Sequence, residues 1–317
     1  MAEARTGTPL TVGVTGASGL IGGALCRFLA GSGHTAFRFV RGPASAPDEI
    51  PWNPARGQLE PHALDGLDAI VHLSGASLAE GRWSAARKRE LVASRVQSTA
   101  TLARAIAACA NPPRVLVSGS AVGGYGDRGE ESLDESSALG RGFVAELVQA
   151  WEAAAAPARD AGVRVVHPRC GLVLARGGGV LAALELPFAL GLGGPLGDGR
   201  AWWSWIAIED LLQALVLALT EPRFRGPFNA VTPEPVRQAA FARALGRALR
   251  RPALLPAPAW ALRLALGREF VDGMLLASQR VHPAVLLGAG FRFAAPELAP
   301  CLERIFARGP RARSERT

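Results

Sequence analysis

The sequence is short of the side chains that several chemistries require. Its 317 residues include one tyrosine, Tyr125, and one lysine, Lys88, so any mechanism that pairs these residue types can be checked by inspection. Four cysteines without a Cys-x-x-Cys pair make no disulfide framework and favour a cytoplasmic protein with reduced thiols. No His, Cys or Asp cluster has metal-site spacing, and no Gly-x-Ser-x-Gly elbow of an α/β-hydrolase occurs, so neither class is expected.

Long apolar runs are also missing. No stretch reaches the ~18–20 residues of a membrane span, because Glu185, Pro187 and several glycines interrupt the most apolar one. The first ten residues lack the apolar core of a signal peptide, so we expect neither a membrane nor secretion. With 49% hydrophobic and 20% charged residues, the chain can bury a large core and is not expected to be disordered.

The net charge is +8, and almost all of the positive charge is arginine. The arginines are scattered, apart from a basic tail at residues 308–317 for which we expect disorder. A nucleic-acid site needs cations clustered on one face with aromatic partners. Nucleic-acid binding is therefore not expected.

A strand, a glycine-rich turn and a helix open the chain. Residues 10–14 are apolar and β-branched, Gly16, Gly19 and Gly22 follow at three-residue spacing, and apolar residues then recur at helical spacing. Such a turn lets the backbone approach a phosphate, and the first N–H groups of the helix attract a pyrophosphate. The pattern predicts dinucleotide binding, although the spacing is not Gly-x-Gly-x-x-Gly. The alternative is an ordinary glycine-rich turn.

The second strand indicates which dinucleotide is bound. Sites for NAD place an acidic residue about 20 residues after the glycines, where it binds the ribose 2′-hydroxyl. No acidic residue occurs between Gly16 and Val40, and Arg38 and Arg41 are present instead. Because a guanidinium pairs well with a 2′-phosphate, we predict NADP(H) rather than NAD. The alternative is that Arg41 is a solvated loop residue.

Strands alternate with helices along the first half of the chain, which predicts an α/β fold with a Rossmann-like, doubly wound parallel sheet. We assign residues 9–176 to an NADP-binding domain, to which 205–230 return. Residues 177–204 and 231–307 are assigned to a smaller, mostly α-helical substrate lobe. The tryptophan-rich run at 202–205 is predicted to line the substrate cleft, or alternatively to pack between the two lobes.

Six segments together resemble the extended short-chain dehydrogenase/reductase superfamily. More narrowly, they resemble atypical NAD(P)-dependent epimerase/dehydratase proteins labelled as cell-division-inhibitor homologues (SulA-like). The segments are VTGASGLIG, VHLSGAS, RWSAARKRELVASRVQST, PFALGLGGPLGDGRAWWSWI, GPFNAVTPEPV and SQRVHPAVLLGAGFRF. The resemblance covers nearly the whole chain and suggests a homodimer.

The resemblance implies a set of cofactor contacts. Those with the pyrophosphate lie in the glycine turn: Gly16, Ser18, Gly19, Leu20 and Ile21. Those with the adenosine half and the nicotinamide lie at later strand ends: Val40, Arg41, Leu73, Ser74 and Leu172.

Arg95 stands where ordinary members carry the Asn of an Asn-Val-x-Gly-Thr segment. The resemblance implies that Arg95 points into the cofactor cleft, with Glu90 as its partner.

Ordinary members of the superfamily also use a Ser or Thr, a Tyr, and a Lys four residues after the Tyr. That spacing places the Tyr and the Lys on one helix face. Neither frame of the matching helix, Phe143 with Leu147 or Val144 with Val148, supplies the pair, and a glycine stands four residues after Tyr125. The Tyr–Lys pair is therefore absent.

Two residues remain as catalytic candidates. Ser120 matches the position of the catalytic serine; a lone hydroxyl is a poor acid–base group but can polarise a carbonyl. Tyr125 is the second candidate, and its alternative role is that of a buried aromatic with a satisfied hydroxyl. Glu152 is expected to make a structural hydrogen bond.

These residues predict an NADP(H)-dependent oxidoreductase that acts on a small carbonyl compound without the Tyr–Lys pair. The proton would come from Ser120, Tyr125 or water. The first alternative is a non-catalytic NADP(H)-binding sensor or interaction protein. The second is a nucleotide-sugar epimerase or dehydratase, which is less favoured because those reactions need the same Tyr–Lys pair.

Overall fold

A computed structural model describes residues 8–307, so the basic tail predicted at 308–317 lies outside the described residues. The strands are β1 (Thr11–Thr15), β2 (Thr35–Val40), β3 (Glu49–Pro51), β4 (Ala69–His72), β5 (Val115–Ser118), β6 (Ser120–Ala121), β7 (Ser132–Leu133), β8 (Arg164–Cys170), β9 (Leu172–Leu174), β10 (Trp202–Trp203), β11 (Trp205–Ala207), β12 (Gly226–Ala230), β13 (Val236–Arg237) and β14 (Arg280–Val281). The helices are α1 (Leu20–Gly31), α2 (Ala85–Val92), α3 (Ser98–Ala108), α4 (Phe143–Ala153), α5 (Ala156–Asp160), α6 (Gly179–Ala189), α7 (Ile208–Thr220), α8 (Gln238–Leu249), α9 (Ala259–Leu266), α10 (Arg268–Phe270), α11 (Ala284–Gly288) and α12 (Leu298–Phe306). A π-helical turn, Ala93–Gln97, joins α2 to α3.

The central sheet is parallel, and its strand order is β12-β8-β5-β4-β1-β2-β3, with β6 also paired to β8. Strands β1, β4, β5 and β8 are almost wholly buried, as expected for a parallel sheet that helices cover on both faces. From β1 the sheet continues on one side through β2 and β3, and on the other through β4, β5, β8 and β12. The strand order thus reverses its direction between β1 and β4, and a crevice opens at the carboxyl ends of these two strands. This topology confirms the predicted doubly wound sheet.

Two apolar clusters cover the two faces of this sheet. On one face, α1 and α7 pack on the strands through buried residues that include Leu25, Leu29 and Leu215. On the other face, α3 contributes Leu102 and Ile106. No helix within residues 8–307 is both long and apolar enough to cross a membrane.

A third cluster forms the core of the smaller, largely helical lobe. It joins Trp203 and Trp205 to Phe241 of α8 and Leu302 of α12. Strand β11 pairs with β9 rather than with the central sheet. Leu286 of α11 packs on the cluster around the central sheet, so this part of the predicted lobe lies against that sheet.

The turn after β1 brings α1 unusually close to the sheet. Gly16 has a φ of +66°, the left-handed region that glycine adopts without strain. A β-carbon on Gly22 would lie 2.2 Å from the carbonyl oxygen of Gly16. The first turn of α1 therefore packs directly on the backbone of the glycine turn, and only glycine fits at position 22.

We expect Gly22→Ala to lower the free energy of unfolding by about 1–3 kcal/mol, because the added methyl overpacks a contact between two backbones. Gly31→Ala is the matched control in the same helix, since no packing neighbour from the described part of the chain lies within 4 Å of its β-carbon position. The control should gain about 0.4–1 kcal/mol. Urea unfolding measures both variants, and equal stabilities would contradict the packing argument.

Candidate functional site

A cleft of about 740 Å³ opens at the carboxyl ends of β1, β2 and β4. Its lining includes these residues that the sequence predicted to contact cofactor: Gly16, Ser18, Gly19, Val40, Arg41, Leu73, Ser74 and Glu90. The structure thus brings the glycine turn, the end of β2 and the end of β4 to one cavity. Its volume lies within the range of small-molecule and cofactor sites.

Four other predicted contacts, of which Arg95 is described below, lie outside the lining of the cleft. Leu20 and Ile21 belong to the first turn of α1, and the Leu20 side chain packs against Gly178. Leu172 lies in β9, where it pairs with Trp205. Their side chains support the turn and the neighbouring lobe in this structure.

Sequence reasoning missed the segment that forms the far side of the cleft. Trp52, Asn53, Pro54 and Ala55 line it, directly after β3. Trp52 is 6% exposed, and its ring packs edge-on against that of His72, with 6.0 Å between ring centroids. The segment reaches the cleft because β3 pairs with β2, and no sequence motif encodes that pairing. An aromatic residue followed by Asn-Pro was the one available signal.

A chain of buried hydrogen bonds fixes the end of β4. The Thr15 hydroxyl oxygen accepts from the backbone N–H groups of Leu73, at 3.0 Å, and Ser74, at 3.3 Å. Its proton is then free to be donated to Nδ1 of His72, 2.7 Å away, while Nε2 of His72 lies 3.2 Å from the Ser98 hydroxyl. Burial lowers the pKa of His72 to about 3, so the imidazole is neutral. The base of the cleft is thereby held by uncharged groups.

Arg38, within β2, and Arg41, directly after it, differ in their surroundings. Arg38 forms ion pairs with Asp48 at 2.9 Å and Glu49 at 3.2 Å. Arg41 lines the cleft, is exposed, and has no ion pair within residues 8–307. Of the two, Arg41 is the guanidinium that is free to meet an anion.

Arg95 is a buried cation without a counter-anion in the described part of the chain. The residue is 7% exposed, and its guanidinium donates to the carbonyl oxygen of Ala76 at 2.9 Å and stacks 5.2 Å from the Trp151 ring centroid. Its Nε has no hydrogen-bond partner among residues 8–307. Burial, together with nearby Arg87, lowers the pKa of Arg95 to about 10.

The guanidinium of Arg95 lies directly behind Gly75, which lines the cleft; a β-carbon on Gly75 would be 3.1 Å from its Cζ. The predicted pairing of Arg95 with Glu90 is wrong. Glu90 binds Arg87 instead, at 2.7 Å, because residues three apart are neighbours on a helix surface and residues five apart are not.

Ser120 and Tyr125 belong to one buried polar network. The Ser120 hydroxyl donates to Glu152 Oε1 at 2.6 Å, and Arg169 binds both oxygens of the same carboxylate at 2.8 and 2.9 Å. Arg169 also donates to the Tyr125 hydroxyl, at 3.0 Å, and that hydroxyl donates to Asn229 at 2.9 Å. Glu152 makes the structural hydrogen bonds that were expected of it.

This network determines whether the hydroxyl groups of Ser120 and Tyr125 can contact a ligand. Tyr125 is fully buried and does not reach the cleft. Burial by itself would raise the pKa of Glu152, but the hydrogen bonds from Arg169 and Ser120 lower it below its usual value. The Ser120 proton is directed to this carboxylate, and the side chain is buried, 4% exposed, outside the lining of the cleft.

The position of the missing Tyr–Lys pair is filled by apolar side chains. Val144 and Leu147 of α4 pack with Trp83 and Phe270 in a cluster to which Phe143 adds a partly exposed ring. The Trp83 ring meets those of Phe143 and Phe270 edge-on, at 5.1 and 5.4 Å between ring centroids. We call this group the Phe143 cluster.

No group of three or more His, Cys, Asp or Glu residues suited to a metal ion occurs between residues 8 and 307.

Comparison with known proteins gives matches along most of the chain. Residues 12–231 match the family described as the NAD dependent epimerase/dehydratase family. Residues 257–305 match a domain described as one of unknown function, DUF1731. The chain is 43% identical over 282 residues to epimerase family protein Mb2239 of Mycobacterium bovis, covering 89% of this chain and 93% of that protein. It is 41% identical over 298 residues to epimerase family protein SDR39U1 of Bos taurus, covering 93% and 99%.

Two solved structures match this chain in fold and also in sequence. The crystal structure of human epimerase family protein SDR39U1 (isoform2) with NADPH matches with a TM-score of 0.86 and 36% identity, covering 94% of this chain and 99% of that one. A nucleoside-diphosphate sugar epimerase from Corynebacterium glutamicum matches with a TM-score of 0.77 and 36% identity, covering 94% of this chain and 58% of that one.

Replacing Arg169 by methionine tests the buried network. Glu152 would lose its bidentate partner, so we expect the free energy of unfolding to fall by about 3–5 kcal/mol at neutral pH. The pKa of Glu152 would then rise above its unfolded value, and protonation would relieve the buried charge. Relative to the unaltered protein, the variant should therefore recover stability as the pH falls from 7 to 5, measured by urea unfolding.

Arg223→Met is the control for this substitution, because Arg223 pairs with Glu221 on the surface at 3.0 Å. It should change stability by less than about 1 kcal/mol. Similar losses in the two variants would show that Arg169 contributes no more than a surface pair.

Proposed function

Because the chain belongs to the NAD dependent epimerase/dehydratase family, we propose that its cleft binds NADP(H) and that the protein is an oxidoreductase for a small carbonyl compound. The observation that carries the proposal is the pair of unmatched guanidinium groups at the cleft. Arg41 is exposed at one end without an ion pair, and Arg95 is buried behind Gly75 without a counter-anion among the described residues. An anionic ligand would satisfy both.

The residues present fit NADP(H). The left-handed Gly16 and the close packing of Gly22 leave the first N–H groups of α1 free to receive a pyrophosphate. Arg41 would bind the 2′-phosphate, and Trp52 and Leu73 would border the adenine. The human relative crystallised with NADPH is 36% identical and supports this cofactor.

The bound cofactor would supply a hydride equivalent for reduction, or accept one for oxidation. The chain itself offers the Ser120 hydroxyl, oriented by Glu152, as the polar group matched to the catalytic serine. Because the proton of Ser120 is directed to Glu152, its role would be to accept a hydrogen bond from a substrate hydroxyl. Tyr125 would act on Ser120 only through the Arg169 and Glu152 side chains.

A non-catalytic NADP(H)-binding protein is the second candidate. The filled position of the Tyr–Lys pair favours it, because Phe143 and Leu147 offer no proton-transferring group. The nucleotide-sugar epimerase named for the Corynebacterium relative is less favoured for this chain on the same ground. The cytoplasmic location, the homodimer and the relationship to cell-division-inhibitor homologues stay predictions.

Titration calorimetry with NADPH and NADH tests the cofactor assignment. We expect Arg41→Ala to weaken NADPH binding about 10–100-fold, the usual cost of a lost charged hydrogen bond, and to leave NADH binding unchanged. Arg225→Ala is the control, since Arg225 is exposed and lies just before the buried part of β12, at the opposite edge of the sheet. If both variants lost the same NADPH affinity, the loss would be an effect of net charge and not of Arg41. If neither NADPH nor NADH bound, the proposal would be overturned.

Arg95→Met separates ligand binding from packing. A methionine keeps much of the apolar stem and removes the uncompensated charge, so the free protein should keep its stability or gain about 1–4 kcal/mol. The rise in melting temperature that NADPH produces should shrink. Thermal unfolding with and without NADPH measures both. A destabilised variant with an undiminished NADPH shift would show that Arg95 serves packing alone.

A further inference from the structure

We propose that the Phe143 cluster borders the acceptor subsite of the cofactor cleft, and that this subsite takes an uncharged quinone. The inference rests on the proposed NADP(H) function and specifies its substrate class. Two independent observations carry it: the apolar lining beside the cleft, and the absence of a proton donor among the described residues around Ser120.

The Phe143 cluster adjoins the cleft. Ala76 lines the cleft and also packs on the cluster, so the two share a boundary. Phe143 and Met274 are partly exposed members of the cluster, which gives it an apolar surface as well as a buried core. A ligand that extends from the cleft past Ala76 would meet aromatic and aliphatic side chains.

The charges at this cluster neutralise each other. The Lys88 ammonium lies 5.1 Å from the Phe143 ring centroid and forms an ion pair of 2.7 Å with Glu269. Arg95, which donates to the carbonyl oxygen of Ala76, is only 7% exposed and lies behind Gly75. Burying a diphosphate against such a surface would leave its charge uncompensated, which is costly. The lining therefore suits an uncharged acceptor and disfavours a nucleotide sugar.

The chemistry of the nearby polar groups narrows the class further. Ser120 directs its proton to an ionised Glu152, Tyr125 is fully buried, and Phe143 and Leu147 fill the place of the Tyr–Lys pair. An unconjugated ketone would have to form an alkoxide, whose conjugate acid has a pKa near that of water, about 15.7. A quinone forms a phenolate-type anion, whose conjugate acid has a pKa near 10. A quinone therefore needs no acidic side chain.

The reaction balances with solvent as the proton source. NADPH supplies one hydride, with two electrons, to the quinone, which yields NADP⁺ and a hydroquinone monoanion. One proton from water completes the hydroquinone. The protein's part is to exclude charge, orient the acceptor against Ala76 and leave the anion to solvent.

Binding of NADPH is measured first by calorimetry, and this measurement tests the proposed function independently of the quinone. The protein saturated with NADP⁺ is then titrated with menadione, so that binding is measured without turnover. NADPH consumption is followed at 340 nm with menadione, decanal and UDP-glucose. We expect menadione to bind and to be reduced at least ten times faster than decanal, with no reaction of UDP-glucose.

Met274→Gln places an amide of similar length on the proposed lining and should raise the menadione Kd and KM about tenfold while NADPH affinity stays unchanged. Leu287→Gln is the control on α11, where Leu287 is 49% exposed. NADPH binding without menadione binding or reduction, a faster reaction with UDP-glucose or decanal, or equal effects of the two variants would each overturn the inference. Failure to bind NADPH would instead overturn the proposed function on which it rests.

Discussion

The buried pairing of Arg169 with Glu152 is the interaction on which the site region depends. It links β8 to α4, and each partner holds a further side chain: Glu152 receives the Ser120 hydroxyl, and Arg169 contacts the Tyr125 hydroxyl. A carboxylate and a guanidinium taken out of water are stable only when both are fully bonded. The pair therefore fixes the position of α4, and with it the apolar residues that fill the place of the missing catalytic pair.

The cofactor half of the molecule was largely predictable from the sequence. The glycine turn is local, so strand, turn and helix follow from residues 10–29 alone, and the doubly wound sheet follows from alternating elements. The absence of the Tyr–Lys pair was also predictable, since one tyrosine and one lysine leave nothing to search for.

The remaining contacts arise from packing between distant segments, which spacing does not encode. Trp52 reaches the cleft because β3 pairs with β2 and the Trp52 ring meets His72. Arg95 was expected to pair with Glu90, but Glu90 pairs with Arg87, three residues away on the same helix. Tyr125 was a catalytic candidate, but its hydroxyl donates a hydrogen bond to Asn229, which is 104 residues away in the sequence.

The imidazole beneath the cleft has one more consequence. Histidine is the side chain that commonly makes a binding site sensitive to pH near neutrality. His72 stays neutral until the pH approaches about 3, and its two nitrogens are engaged by hydroxyl groups rather than by charges. The floor of the cleft thus keeps a neutral His72 throughout the range in which a solvent-exposed histidine titrates. In the NADP(H) site that we propose, affinity for the adenosine half would therefore not change through titration of His72 near neutral pH.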